Sequence, residues 1–188
     1  MIKDNFWKNK NVFITGVAGF VGSNLAKDLV NNGANIIGLT KNKKIDSLLF
    51  YEKIDKKINL LFGDITDKEL LKSIFLKFNI EICFHLAAQV EVGSARKYPF
   101  LTWETNVRGT YTLLETIREN KKKIKSIVVA STDKVYGEYP IKQLPYKEEY
   151  ELKAKFPYDT SKACADMIAM SYSTKLFKLP IVITRFAN

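Results

Sequence analysis

The stretch that most constrains this chain is Val12-Phe13-Ile14-Thr15-Gly16-Val17-Ala18-Gly19-Phe20-Val21-Gly22. An apolar run ends at Gly16, glycines recur at every third position, and Ser23 to Val30 then reads as a helix. A strand that turns sharply into a helix leaves unpaired N–H groups aimed at whatever sits on the helix N-terminus. A diphosphate fits there if no Cβ blocks its approach. The spacing is G-x-x-G-x-x-G rather than the more common G-x-G-x-x-G, so a tight structural turn is the competing reading.

The rest of the chain alternates strand and helix. Strands are expected over 11–15, 34–39, 58–62, 80–86, 124–130 and 181–185. Gly33 closes the first helix. Asp67 caps a helix running to Phe78, on which Leu70, Leu71, Ile74, Phe75 and Phe78 recur at helical spacing. One long helix is expected over 98–120, with Asn106 needing partners if buried, and another from Pro157 to Lys178. This order predicts an α/β domain, a doubly wound parallel sheet with helices on both faces. In such sheets ligands sit beyond the carboxyl ends of the strands. Gly16, Asp64, Ala87 and Ser131 all fall at such ends.

Length and charge narrow the class. The 188 residues suit one domain, and the apolar runs fall short of the ~20 residues of a membrane span. No apolar leader opens the chain, and Cys83 and Cys164 show no metal spacing. A cytoplasmic protein with reduced thiols, bound to neither membrane nor metal, is expected. The formal charge of +10 comes mostly from scattered lysines, Lys121-Lys122-Lys123 being the tightest run, and no aromatic-interleaved basic patch suggests nucleic acid. After the second strand comes Thr40-Lys41-Asn42-Lys43-Lys44. A fold selective for NAD would place an acid there to grip the ribose, whereas lysines suit a 2′-phosphate. NAD and NADP both stay open.

The chemistry concentrates at the fifth strand and the last helix. Ser131-Thr132-Asp133-Lys134-Val135-Tyr136-Gly137 ends the strand, and Pro157-Tyr158-Asp159-Thr160-Ser161-Lys162 opens the helix. Tyr158 and Lys162 share one helix face. An ammonium near a phenol favours the phenolate, which can take a proton from a sugar hydroxyl as hydride leaves the same carbon. Thr132 would orient that oxygen. His85 is expected to be a strand-end hydrogen-bonding residue, Cys164 a packed small residue, Asp159 a first-turn charge and Asp166 an exposed charge.

Thr15 to Gly22, Gly63-Asp64, His85-Leu86-Ala87-Ala88-Gln89, Asn106-Val107-Arg108-Gly109-Thr110 and Tyr158 to Lys162 together resemble the extended short-chain dehydrogenase/reductase family of nucleotide-sugar epimerases and dehydratases. The resemblance runs the length of the chain in the right order. It implies a cofactor set of Gly16, Gly19, Phe20, Val21, Gly22, Thr40, Lys41, Asp64, Ile65, Leu86, Ala87, Ala88, Asn106, Tyr158 and Lys162. Within this set the glycines would carry the pyrophosphate, Asp64 and Ile65 lie by the adenine, and Ala87 and Lys162 by the ribose. It places Gln89, Ser131, Thr132 and Asn188 against the substrate, and Thr132, Asp133, Lys134, Tyr158 and Lys162 at the chemistry. It also implies a nucleotide-sugar substrate and a homodimer, and it favours NAD over NADP.

Asp133 separates the branches. Sugar 4,6-dehydratases are similar in carrying Asp where 4-epimerases carry a small residue. The Asp-Lys pair here most resembles the CDP-glucose 4,6-dehydratase branch, in place of the Asp-Glu of many others. Elimination needs an acid at the C6 hydroxyl, for which Asp133 is the candidate, and a base at C5; Lys134 occupies the place of the base in other branches, so either a neutral Lys134 or another group serves. A CDP-glucose or GDP-mannose type 4,6-dehydratase is therefore expected. A 4-epimerase, or a cofactor-binding module without turnover, are the alternatives. The chain is expected to be a single cofactor-binding domain over 1–188, without the C-terminal substrate domain of the family.

Overall fold

The computed structural model describes residues 5–120 and 123–187. Six strands form one sheet: β1 (Asn11–Thr15), β2 (Asn35–Thr40), β3 (Asn59–Phe62), β4 (Ile82–His85), β5 (Ser126–Thr132) and β6 (Ile181–Phe186). Their order is β3-β2-β1-β4-β5-β6, and all five pairings are parallel. The sheet is the doubly wound one expected from the alternation of elements. The reversal of strand order at β1 and β4 opens a crevice at their carboxyl ends.

Helices cover both faces. They are α1 (Phe20–Asn31), α2 (Leu48–Tyr51), α3 (Lys68–Lys77), α4 (Val92–Lys97), α5 (Pro99–Trp103), α6 (Gly109–Glu119) and α7 (Pro157–Ser173). The two-residue period of β1 divides its side chains between two cores. Phe13 packs with Leu71, Leu113, Leu114 and Ile117 on the side of α3, α6 and α7. Val12 and Ile14 pack with Ala26, Leu29 and Leu49 on the side of α1 and α2. Each fully buried aliphatic side chain contributes roughly 1.5–3 kcal/mol, so both layers are firmly held.

Several boundaries differ from the sequence reading. The helix expected over 98–120 is interrupted by a π turn at Glu104–Arg108, and the short helix α4 precedes it. Helix α7 stops at Ser173 rather than Lys178. Its last turn is rich in hydroxyls, and those of Ser171, Ser173 and Thr174 donate to carbonyls three residues back. Such bonds compete with the helix ladder. The Asp67 cap is present, accepting from the Leu70 amide at 3.0 Å. Gly33 sits just past α1 at φ +81°. Lys121 and Lys122 of the run Lys121-Lys122-Lys123, and the substrate candidate Asn188, lie outside the described residues.

A third, smaller cluster joins β5 to α7. The turn Asp133–Tyr136 follows β5, and Val135 and Tyr136 are buried against Ala163. Tyr136 stacks on Tyr146 with centroids 5.0 Å apart, and Tyr139 stacks on Tyr150 at 4.9 Å. The 137–156 segment has little regular structure, and these rings help to hold it down.

Candidate active site

A cavity of about 500 Å³ lies at the carboxyl ends of β1, β2, β3 and β4. Its floor is the glycine loop. Gly16 has φ +69°, and a Cβ there would meet the Ala87 amide nitrogen at 2.8 Å. Only glycine lets the two strand ends approach so closely. A Cβ on Gly22 would strike the Gly16 carbonyl. Gly19 is the N-cap of α1, and a Cβ there would meet the Gly16 carbonyl oxygen at 3.1 Å.

The start of α1 carries no side-chain cap and no acid in its first turn. The orphan amides of Phe20, Val21 and Gly22 therefore remain for an anion. All three residues line the cavity. A pyrophosphate fits this cradle on the chemistry of its donors.

The cofactor candidates Thr40, Lys41, Asp64, Ile65, Leu86, Ala87 and Ala88 also line the cavity. Thr40 is buried, its hydroxyl donating to the Asn42 carbonyl at 3.1 Å. Lys41 pairs with Asp64 at 2.8 Å. Burial pushes the Asp64 carboxyl up, but bonds from Lys41 and from the amide and hydroxyl of Thr66 outweigh it, leaving the group below the usual carboxylate range. Lys43 leans over the Phe50 ring, whereas Lys44 lines the cavity. Sequence reasoning missed Ala18, Leu39, Gly63, Val90 and Thr105 as wall residues. Their positions beside glycines and strand ends were the available signal, except for Thr105, which had none.

Two candidates have other duties. Asn106 does not line the cavity; it is 1% exposed inside the π turn. Its side-chain Oδ1 accepts from the Gln89 backbone amide at 2.8 Å, and its Nδ2 donates to the Gln89 carbonyl at 3.0 Å and to Ser161 Oγ at 2.9 Å. Asn106 is thus a clamp between the cavity wall and the helix that bears Tyr158. Gln89, expected against the substrate, lines the cavity instead, and its Oε1 is buried without a partner among the described residues.

His85 is 4% exposed, as a strand-end structural residue should be. Thr15 Oγ1 accepts from the amides of Leu86 and Ala87, so its own proton goes to His85 Nδ1 at 2.9 Å. The other ring nitrogen, Nε2, then carries the proton toward Thr110 Oγ1 at 3.0 Å, whose hydroxyl donates to the Asn106 carbonyl. This tautomer is assigned from the network. Burial, reinforced by Lys162, lowers the imidazole pKa to about 3 and keeps the ring neutral.

The second cluster lies beyond β5. Thr132 Oγ1 donates to Asp133 Oδ1 at 3.1 Å, and Asp133 Oδ2 pairs with Lys134 Nζ at 3.2 Å. Tyr158 stands over this turn, half-buried at the start of α7. Burial raises its phenol above the ordinary value, and the Thr132 hydroxyl works against that. The expected direct action of Lys162 on the phenol is not what the geometry shows. Lys162 Nζ donates to the Ala130 carbonyl at 2.6 Å, because a buried ammonium takes the strand-end carbonyl within its reach. Burial lowers its pKa to about 8, with Asp166 pulling the other way.

Two further expectations are corrected. Ser131, expected against the substrate, is buried, and its hydroxyl donates to Asp166 Oδ2 at 3.1 Å. Asp166 is not exposed at all; it is fully buried and paired with Arg185 Nε at 2.9 Å. Cys164 is half-buried, and Asp159 sits in the first turn of α7.

A parallel sheet wound in this order, with an anion cradle at its switch point and a tyrosine–lysine helix beside β5, defines a Rossmann-type dinucleotide-binding domain. The family model for GDP-mannose 4,6 dehydratase matches residues 13–188, and the chain belongs to that family. It is 35% identical over 178 residues to the CDP-glucose 4,6-dehydratase of Salmonella typhimurium, covering 94% of this chain and 49% of that protein. To the dTDP-D-glucose 4,6-dehydratase of Homo sapiens it is 36% identical over 183 residues, covering 95% and 51%. Among solved structures, it is similar to the dTDP-glucose 4,6-dehydratase of Bacillus anthracis in complex with NAD, at 32% identity and a TM-score of 0.81, covering 95% and 55%. It is also similar to the UDP-glucose 4-epimerase of Thermotoga maritima with UDP-glucose, at 28% identity and a TM-score of 0.84, covering 95% and 55%. The chain spans about half the length of the relatives it matches. Among the described residues no helix is long and apolar enough to cross a membrane, and no cluster could hold a metal ion.

Proposed function

We propose that this chain is the cofactor-binding and catalytic part of a nucleotide-sugar 4,6-dehydratase that uses NAD. The observation that carries the reading is the Asp133–Lys134 pair at the end of β5, beside Thr132 and facing Tyr158. Gly16, Gly19, Gly22 and the first turn of α1 would hold the pyrophosphate, Asp64 and Ile65 the adenine, and Ala87 and Lys162 the ribose. When bound, the nicotinamide supplies a hydride acceptor for sugar C4 and returns that hydride at C6.

The chain's own residues do the rest. Thr132 orients the C4 hydroxyl, and Tyr158, as the phenolate that the positive charge of a bound oxidised nicotinamide would favour, takes its proton. The resulting 4-keto group acidifies the C5 proton. One proton moved along the Asp133–Lys134 contact leaves a carboxylic acid and an amine, the acid and base that elimination requires. Asp133 then protonates the departing C6 hydroxyl, which leaves as water, and Lys134 takes the proton from C5. The step returns the pair to its ionic form; Lys134 then gives its proton back to C5 as hydride would reach C6, and the proton held by Tyr158 restores the pair.

An epimerase shares the scaffold, as the similarity to the Thermotoga maritima enzyme shows, but needs no acid for a leaving hydroxyl. The exposed apolar side chains Phe100, Leu101, Met167 and Met170 on α5 and α7 support a homodimer through these helices. The free cysteines and the nucleotide-sugar chemistry support a cytoplasmic setting.

The experiment mixes the chain with NAD and CDP-glucose, dTDP-glucose or GDP-mannose, alone and with the separately expressed C-terminal half of the Salmonella typhimurium relative. A 4-keto-6-deoxy product is expected. Asp133→Asn, which keeps shape and loses the proton, is expected to reduce the cofactor yet stall before that product. A C4 epimer from the wild type, or full deoxy product from Asp133→Asn, sinks the dehydratase reading. No product in either arrangement, with NAD bound, leaves a binding module.

A further inference from the structure

The guanidinium of Arg185 is a group that the chemistry above does not use, and it joins three segments of the chain. Its Nε donates to Asp166 Oδ2 on α7 at 2.9 Å. Its Nη1 donates to the Tyr136 hydroxyl at 2.6 Å and to the Glu148 carbonyl at 3.1 Å. The same group lies 4.9 Å from the centroid of the Tyr136 ring. Arg185 is paired across the sheet with Ser131, whose hydroxyl donates to the same carboxylate oxygen. The second oxygen of Asp166, Oδ1, is buried with no partner among the described residues.

This is an expensive way to fasten a helix to a sheet. A fully buried carboxylate with one bare oxygen pays its desolvation twice over, and apolar residues of similar volume hold such contacts as well or better. An ion pair differs from an apolar contact in direction. The planar fork of arginine fixes angles as well as distances.

Those angles fix one thing of consequence. Tyr136 is the last residue of the turn that begins at Asp133, and Gly137 N closes that turn on the Lys134 carbonyl at 3.1 Å. Lys153 N braces it from behind through the Val135 carbonyl at 3.0 Å. Asp166 lies one helical turn beyond Lys162, which lies one turn beyond Tyr158. The ion pair therefore ties the turn of the elimination step to the helix of the oxidation step.

We propose that Arg185 and Asp166 are a positioning pair that holds Asp133 and Lys134 in register with Tyr158 and Lys162. The proposal rests on the dehydratase reading for the role of Asp133. It rests on the contacts alone for the holding of the turn.

The test uses the double variant Asp166→Asn, Arg185→Met, which removes both charges of the pair together and so avoids the bare carboxylate that Arg185→Met alone would leave. A cooperative melt is expected, and NAD is still expected to bind, since the glycine cradle is built from other elements. Amide exchange at Gly137 and Lys153 is expected to speed up while that of β1 stays as in the wild type. In the complemented enzyme the deoxy-product kcat is expected to fall by about 10²-fold with little change in KM, the scale of an ångström-sized misplacement. Reduced cofactor should accumulate. Arg185→Lys, which keeps the charge without the fork, is also expected to melt cooperatively but not to restore the rate.

Unchanged exchange at Gly137 and Lys153, or a wild-type kcat in the double variant, overturns the proposal. So does recovery of the full rate by Arg185→Lys. If the wild type itself gives no deoxy product, the dehydratase reading has failed, and the exchange measurement still decides whether the pair holds the turn.

Discussion

Lys162→Met is expected to make the cofactor-free chain more stable at neutral pH while removing a group proposed to hold the cofactor ribose. The ammonium is 7% exposed, donates to the Ala130 carbonyl, and has its pKa lowered by burial from 10.5 to about 8. At 1.36 kcal/mol per pKa unit, that gap is a folding penalty of about 3 kcal/mol. The sign follows from proton counts. Between about pH 8 and pH 10.5 the unfolded chain binds more protons at this lysine than the folded chain, so wild-type stability rises with pH across that window. Below it both states are protonated and the whole penalty stands.

Methionine has nothing to desolvate, but it leaves the Ala130 carbonyl without its donor, a loss of about 1 kcal/mol. The variant is therefore expected to exceed the wild type by about 2 kcal/mol at pH 7 and to lose that lead by pH 10. Urea unfolding of both proteins at the two pH values measures it. A variant no more stable at pH 7, or a difference that does not move with pH, refutes the argument that burial sets the state of Lys162.

Other outcomes follow from the same geometry. Gly19→Val projects its side chain from the N-cap into the cradle, so calorimetry should show NAD binding lost with the fold retained. Gly16→Ala, at φ +69° and against the Ala87 amide, should instead lower stability by at least ~1–2 kcal/mol, read from denaturant melts. Tyr158→Phe should lower turnover of the complemented enzyme by at least about 10²-fold, and an unchanged rate would remove Tyr158 from the chemistry. A water-soluble disulfide reagent should modify Cys164 in the native chain but reach Cys83, which is buried with its thiol pushed up by desolvation, only on unfolding.

Much of the fold was legible because its signals are local. The apolar runs of β1, β2 and β5, the Asp67 cap and Gly33 each state their element within a few residues, and strand–helix alternation then leaves a parallel sheet as the arrangement that buries them. The glycine loop was legible for a similar reason, since Gly16, Gly19 and Gly22 are needed by the backbone itself. What escaped depends on contacts distant in sequence. Asp166 reads as a surface charge on α7 until β6 brings Arg185 against it. Ser131 reads as a strand-end hydroxyl for substrate until Asp166 takes it. Lys162 shares a helix face with Tyr158, as spacing required, but spacing could not show the Ala130 carbonyl waiting for its ammonium. Asn106 was recognised as needing partners, and only the fold could say that these were Gln89 and Ser161.

The π turn at Glu104–Arg108 sets regularity against use. Its irregularity amounts to a single residue more than an α-helix would spend on the same arc. Deleting Val107 or Arg108 would let α5 and α6 run on as one ordinary helix with a better backbone ladder. Each residue of such a helix advances the face by about 100°, so one side of the join would have to rotate. Either Asn106 would swing off Gln89 and Ser161, or Leu113, Leu114 and Ile117 would leave the core. A shortened gene would thus encode a tidier helix and a disconnected site, which makes this short arc a place where chain length is under tighter control than residue identity.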